Sequence, residues 1–277
     1  MADEKNDICA YSVRLKCQRP AVAGREYCIF HDSDPNKDVQ VFQESLEAEL
    51  GIKGKLNFEG FRFPEDFKID FFQGRSLPEI TLADAVFRNT VSFNSCLFQS
   101  DADFSFTEFT DKVTFAKAIF SKDHEAKFFL TRFPEAMFIE TDFQGRTDFG
   151  GARFLKTAYF SGTHFSDVSF LAADFRDTAW FNPLRNTRIS VFLSKAHFNN
   201  TFFAKNAYFQ ETDFIGQAKF LSATFEETAD FSDASFLAED LETDFSRTKF
   251  NGFTSFENVS FCGRSRFEVE SLYCCKF

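Results

Sequence analysis

The stretch VSFNSCLFQSDADFSFTEFTDKVTFAKAIF, residues 91–120, places phenylalanine at Phe93, Phe98, Phe104, Phe109, Phe115 and Phe120. The spacing alternates between five and six residues. Two residues before each ring stands a small or β-branched residue: Val91, Cys96, Ala102, Thr107, Val113 and Ala118. No helix has this period, and neither does a plain alternating strand. A fixed self-similarity of this kind marks a repeat architecture. The ladder resumes at Phe128 and continues through pairs such as Ala136/Phe138, Thr163/Phe165, Ala207/Phe209 and Thr248/Phe250 to Phe267. Between residues 56 and 87 the same beat is ragged and is interrupted by Pro64 and Pro78.

Two inward positions separated by one outward position describe a very short strand-like segment. Polar residues then turn the chain before the next pair, so the chain winds into a coil with flat faces. Four such units close a square turn of about 22 residues, and stacked turns lie ~4.8 Å apart, the spacing between strands. The small residue lets neighbouring backbones approach, while the rings stack along the interior. Each buried ring contributes roughly 1.5–3 kcal/mol. A core of this kind needs neither metal nor disulfide.

Composition agrees. The chain of 277 residues contains 45 phenylalanines but only 12 glycines and 6 prolines, the bias expected when one residue type fills one recurrent slot. A net charge of −11 argues against unaided binding to a nucleic-acid backbone. Within the repeats both signs are interspersed, as on an ordinary solvated surface. No apolar run reaches the ~20 residues of a spanning helix, so no membrane association is expected. The polar start MADEKND does not read as a signal peptide. Seven cysteines, three of them crowded near a histidine, suggest a metal site and an intracellular, cytoplasmic setting.

The triplets Ala102–Asp103–Phe104, Ala173–Asp174–Phe175 and Ala229–Asp230–Phe231 fit the pattern A-(D/N)-(L/F)-x-x. On these residues everything after about residue 56 resembles the pentapeptide-repeat family in a Phe-rich form. The resemblance implies an all-β fold, a right-handed quadrilateral β-helix. The six-residue units depart from the family pattern and are expected to loosen or bulge some corners.

The chain before the repeats reads differently. Cys9, Cys17, Cys28 and His31 form a Cys3His set, which can close a tetrahedron around one structural Zn2+. Cys28 and His31 make a chelating pair on one turn, whereas seven residues separate Cys9 from Cys17, a looser spacing than usual. Tyr11, Val22, Tyr27 and Phe30 are available to pack around the metal, with Pro20 and Gly24 at turns. The alternative is three buried reduced cysteines and a surface histidine. Cys17–Arg19–Pro20–Ala21 with Gly24–Tyr27–Cys28–His31 resembles a short treble-type Cys3His finger that also stands at the front of pentapeptide-repeat proteins. In DSDPNKDVQVFQESLEAELGIKG, Ser33 or Asp34 can cap a helix with Pro35 near its first position. Val39, Phe42, Leu46 and Leu50 share one face of that helix, and Gly51 or Gly54 ends it. A short amphipathic helix there would cover an open end of the array. The expected division is a zinc-finger-like module at 1–33, a capping helix and linker at 34–54, and the β-helix at 55–277.

The ladder breaks at three places. SKDHEAK after Phe120 holds His124 in a loop, and NPLRNTRISV after Phe181 loses a ring near Asn186. A third break puts Leu241 out of register. Loops on a rigid scaffold are common binding sites, so Trp180, Arg185 and Arg188 are the candidate binding residues beside the second break. The alternative is a tolerated insertion at a corner. The last residues, ESLYCCKF, leave an apolar coil that could pair with its copy in a homodimer. No catalytic arrangement and no phosphate-cradling glycine loop is present. The expected function is a non-enzymatic interaction scaffold for a protein partner yet to be identified. The alternatives are a DNA mimic binding a topoisomerase, which requires dense one-signed charge, and nucleic-acid contact through Arg14, Lys16, Arg19 and Arg25 of the zinc module. The charge balance disfavours the last.

Overall fold

The computed structural model describes residues 8–13, 16–50, 54–185 and 187–276. From Leu56 onward the chain winds into a β-solenoid of about ten turns whose walls are four parallel ladders. The first face begins at Leu56–Asn57, pairs in turn with Ile80–Thr81 and Ala102–Asp103, and ends at Ser265–Arg266. The second starts at Arg62–Phe63, the third at Val91–Ser92 and the fourth at Ser76–Leu77. Register gives the length of a turn directly. Ala158 pairs with Ala179, 21 residues on, and Ala207 with Ala229, 22 residues on. The square turn deduced from the phenylalanine spacing is the observed one.

The rings account for this regularity. Behind the third face Phe93, Phe115, Phe138, Phe160, Phe181, Phe209, Phe231 and Phe256 form one column. Successive centroids are 4.6–5.2 Å apart and planes lie within 7°. Each of the other faces has its own column. Rings of adjacent columns meet edge to face, as Phe138 meets Phe149 at 5.3 Å and 83°. A phenyl ring is favourably placed in both geometries, so one residue type fills the core in two directions at once.

The alternation of five and six residues is a difference between corners. At most of the five-residue corners the second residue after Phe has positive φ, as at Lys117 (59°) and Asp233 (59°); Phe133–Phe138 and Phe165–Phe170 are exceptions. The next amide returns to the Phe carbonyl, for example Ala118 to Phe115 at 2.9 Å, which makes a tight turn of the type II pattern. At several slots filled by threonine the hydroxyl donates to a Phe carbonyl one coil earlier. Thr131 reaches Phe104 and Thr201 reaches Phe170, at 2.7 and 2.8 Å. Some six-residue corners bulge, one of the two outcomes expected of them. Several carry the chain through as one strand, as in Asp142–Asp148 and Lys249–Ser255, with a bulge in register between Phe143 and Arg146 and between Phe250 and Phe253. Glycine is required at some of them: a Cβ on Gly145 would stand 1.9 Å from the His124 carbonyl oxygen.

Helix α1 (Val39–Leu50) buries Phe42 and Leu46 against the first coil. Its N-cap is neither Ser33 nor Asp34. Asp38 accepts the Val41 amide at 3.0 Å, while Asp34 closes a separate turn with Asn36, so the helix starts after both. Gly51, one of the two expected stops, lies outside the described residues. At the other end the core opens out: Phe267 is 37% exposed and Leu272 42%.

Candidate metal centre

Cys9, Cys17, Cys28 and His31 come together, all buried, with one ligand atom from each lying within 4.8 Å of the others. Nδ1 of His31 is 3.4 Å from the Cys9 sulfur and 3.3 Å from that of Cys28, and the Cys17 and Cys28 sulfurs are 3.9 Å apart. A zinc tetrahedron with bonds of about 2.3 Å to sulfur and 2.0 Å to nitrogen has edges of roughly 3.5–3.8 Å. The donor set therefore fits a four-coordinate metal with no side chain moved far. Cys9 is tied by its amide to the Arg19 carbonyl, and Ile8 bridges Pro20, which shortens the long gap between the first two cysteines.

The environment favours a cation at this point. Burial pushes the Cys28 thiol up to about 12, and neighbouring Cys17 and Cys9 add to it. Burial also lowers His31 to about 4, so the imidazole is neutral. Its Nε2 lies 2.9 Å from the Glu59 carbonyl and donates to it, which leaves the Nδ1 lone pair facing the sulfurs. That partner fixes the tautomer and aim of a metal-binding histidine. A bound cation would supply the positive charge that lets these thiols ionise.

The same contacts join the cluster to the solenoid. Glu59 belongs to the first coil. The Tyr11 ring stacks on His31 at 4.0 Å, directly over Gly60, where any Cβ would collide with it at 2.2 Å. Phe30 stacks on Phe61 at 4.3 Å and meets Phe42 edge-on, and its carbonyl accepts the Arg62 amide at 2.7 Å. The buried Lys37 ammonium donates to the carbonyls of Ile29 and Asp32 and sits over the Phe42 ring. Of the residues expected around the metal, Tyr11 and Phe30 are buried, whereas Tyr27 is 37% exposed. The cluster and the helix together seal the first coil.

Two of the four cations offered for nucleic-acid contact, Arg19 and Arg25, are engaged within the chain. Arg19 pairs with Glu49 of α1 at 2.9 Å, lies over Phe30 and Phe61, and approaches the Cys17 sulfur at 3.9 Å. Arg25 pairs with Asp32 and Asp34. Lys16 is exposed, and Arg14 lies outside the described residues. Nor does any face form an acidic stripe among the described residues. Outward positions on successive coils of the first face run Asp103, Lys127, Asp148, and those of the second run Glu108, Arg132, Arg153.

The binding residues expected at the second break are separated by the structure. Val168 pairs with Ala196, so this turn takes 28 residues and the excess forms a loop at 182–190. Arg185 is exposed on that loop. Arg188 folds back and donates to the carbonyls of Gly162 at 2.7 Å and Thr141 at 3.1 Å, which clips the loop across two coils. Trp180 is not in the loop. It is an outward residue of the third face, in register with Tyr159 and Tyr208 and stacked on Tyr208 at 4.4 Å. The row was legible in the sequence as Ala-Tyr-Phe, Ala-Trp-Phe, Ala-Tyr-Phe, provided the loop length was known.

No family model matches the sequence, and no curated protein does. Among solved structures the chain is similar to HetL from the cyanobacterium Nostoc, a pentapeptide repeat protein involved in heterocyst differentiation regulation. That alignment has 15% identity and a TM-score of 0.22, and covers 83% of this chain and 92% of HetL.

Proposed function

We propose that this chain is a non-enzymatic interaction scaffold: a rigid β-helix that presents outward side chains and three loops to a protein partner, with a structural zinc module closing one end. One observation carries this reading. The repeated inward slots are devoted to packing, so the sequence is free to vary at outward positions that the wall holds at a constant spacing. Binding groups on such a frame lose little entropy on association. Zinc is favoured over other divalent ions by the sulfur-rich, tetrahedral donor set. Reduced, metal-bound cysteines are in keeping with an intracellular setting. Among the described residues no helix is long and apolar enough to cross a membrane.

A second copy is a candidate occupant of the open coil around Phe267 and Leu272. Sedimentation at micromolar concentration tests this: a monomer there removes the idea. Mimicry of DNA and direct nucleic-acid contact are the weaker readings, because charges alternate along the faces and Arg19 and Arg25 are paired. The scaffold reading itself is tested by photo-crosslinking in the native cell from positions on each face. A partner trapped at one face, and lost on substitution there without loss of fold, supports it. Turnover of a small molecule by the purified chain would sink it.

A further inference from the structure

We propose that the third face carries a docking strip for a proline-rich, uncharged segment of a partner protein, laid along the solenoid axis over Tyr159, Trp180 and Tyr208. The proposal rests on the scaffold reading and names the surface and the chemistry it would recognise.

Register places Met137, Tyr159, Trp180 and Tyr208 in one outward row on successive coils, each half-buried. Going back along the row, Thr114 and Ser92 continue it, so six consecutive coils present no charge there. The first two faces carry opposite charges over the same coils. Thr157, Thr178 and Asn206 flank the aromatic rings in register and are uncharged; Glu135, in the same position beside Met137, is paired with Lys112 at 3.3 Å, and Asp230 ends the row beyond Tyr208. Over Tyr159, Trp180 and Tyr208 a partner's charged groups would be desolvated against rings and uncharged neighbours, which selects for an uncharged segment there.

The polar tips on the strip select further. Tyrosine and threonine hydroxyls, the indole N–H and the asparagine amide all donate hydrogen bonds. A proline-rich chain offers carbonyl acceptors and lacks the amide donors that would need partners in return. Its left-handed extended helix repeats every ~9.3 Å, close to the ~9.6 Å spanned by two coils. From Met137 to Tyr208 the strip is about 14 Å long, room for roughly five residues at ~3.1 Å each. A strip one coil face wide falls well short of the ~800 Å² per partner of a stable dimer. A single preformed extended segment on aromatic rings suits such a narrow surface. Trp180 is already held by its stack on Tyr208, so little ordering is left to be done on binding. Arg188, in the loop that begins directly beyond Phe181, is held at the corner by the Gly162 carbonyl.

Trp180 is the sole tryptophan, so its emission reports on this surface alone. Titration of the full chain with a ten-residue oligoproline is expected to give a saturable change in emission and protection from acrylamide, with sub-millimolar affinity. Tyr208→Ser should weaken binding at least about five-fold while the melting temperature and circular dichroism stay native. The proposal is overturned by no saturable change up to about millimolar peptide. An equal response to a Gly/Ser peptide of the same length overturns it too, as does unchanged affinity in Tyr159→Ser/Tyr208→Ser. Partner crosslinking that persists in that double variant would retain the scaffold and discard only this strip.

Discussion

On the proposed zinc reading of the Cys3His cluster, removing the ion should unfasten one end of the solenoid and leave the rest standing. The perturbation is Cys28→Ser, or chelation of the native chain. A structural zinc in a small module contributes on the order of 10–16 kcal/mol, as much as the whole stability of a typical domain. Residues 8–33 form one isolated bridge and no other regular strand or helix among the described residues, so without metal they keep only their contacts to α1 and the first coil. Their departure uncovers Phe61, over which Phe30 is stacked, and one side of Phe42. A solenoid couples each coil only to its neighbours, so fraying should fade within a coil or two. By the second coil Phe87 is stacked on both Phe63 and Phe109 and does not depend on the module.

The readout is site-resolved hydrogen exchange. The Arg62 amide donates to the Phe30 carbonyl, whereas the Val86 amide of the next coil donates to Phe61 and the Phe160 amide to Trp180. Loss of metal should cost Arg62 at least a hundred-fold in protection, Val86 less, and Phe160 nothing. Ligand thiols must lose protons to hold the ion, so zinc affinity should fall as pH falls and chelation at mildly acidic pH should act like the mutation. Native protection at Arg62 in a metal-free chain would refute the reasoning, since the cap would then hold by packing alone. So would cooperative unfolding of the whole array.

Other positions test the wall itself. Phe181→Ala removes a ring stacked on both Phe160 and Phe209 and should cost about 3–5 kcal/mol, read as a lowered denaturant midpoint. Gly216→Ala should destabilise clearly, because its Cβ would lie 1.6 Å from the Ser194 carbonyl oxygen. Gly74→Ala, with open space around it, should cost about 1 kcal/mol for its positive φ alone. Arg188→Ala should free the loop at 182–190, raising exchange at its described amides such as Thr187, while the Phe columns keep their protection.

The solenoid was legible because its information is local and repeated. Each small-x-Phe unit names two inward slots, and the spacing between units names the corner. The ring stacks follow once the turn is closed. The Cys9, Cys17, Cys28 and His31 cluster was legible because cysteine and histidine at short range have few other uses. What escaped was anything decided by contact between distant units. Phe61 occupies a slot that is small elsewhere, and only the Phe30 ring lying on it explains why. Asp38 caps the helix because Asp34 is already used in its own turn and pairs with Arg25. Arg188 looked like a free loop cation, yet the carbonyls that hold it are contributed by two earlier coils. In each case the decisive partner is 20 or more residues away or competes locally for the same atoms.

These misses bear on where function sits. At the small and Phe slots the regular coils share a single solution, so inward identity there carries almost no information about partners. The information lies in the outward rows, where each residue is set beside its counterparts one turn before and after. A residue on such a row acts with neighbours about 22 positions away in sequence, as Tyr159, Trp180 and Tyr208 do. One inserted loop changes that count, as the 28-residue turn after Val168 does, yet the row remains intact because the wall restores register at Ala196. Loops can therefore grow from the corners without disturbing the faces, and a face can evolve a partner without disturbing the core. That separation is the physical reason a repeat of this kind can serve as a scaffold while its sequence gives the partner away only through rows read across the coils.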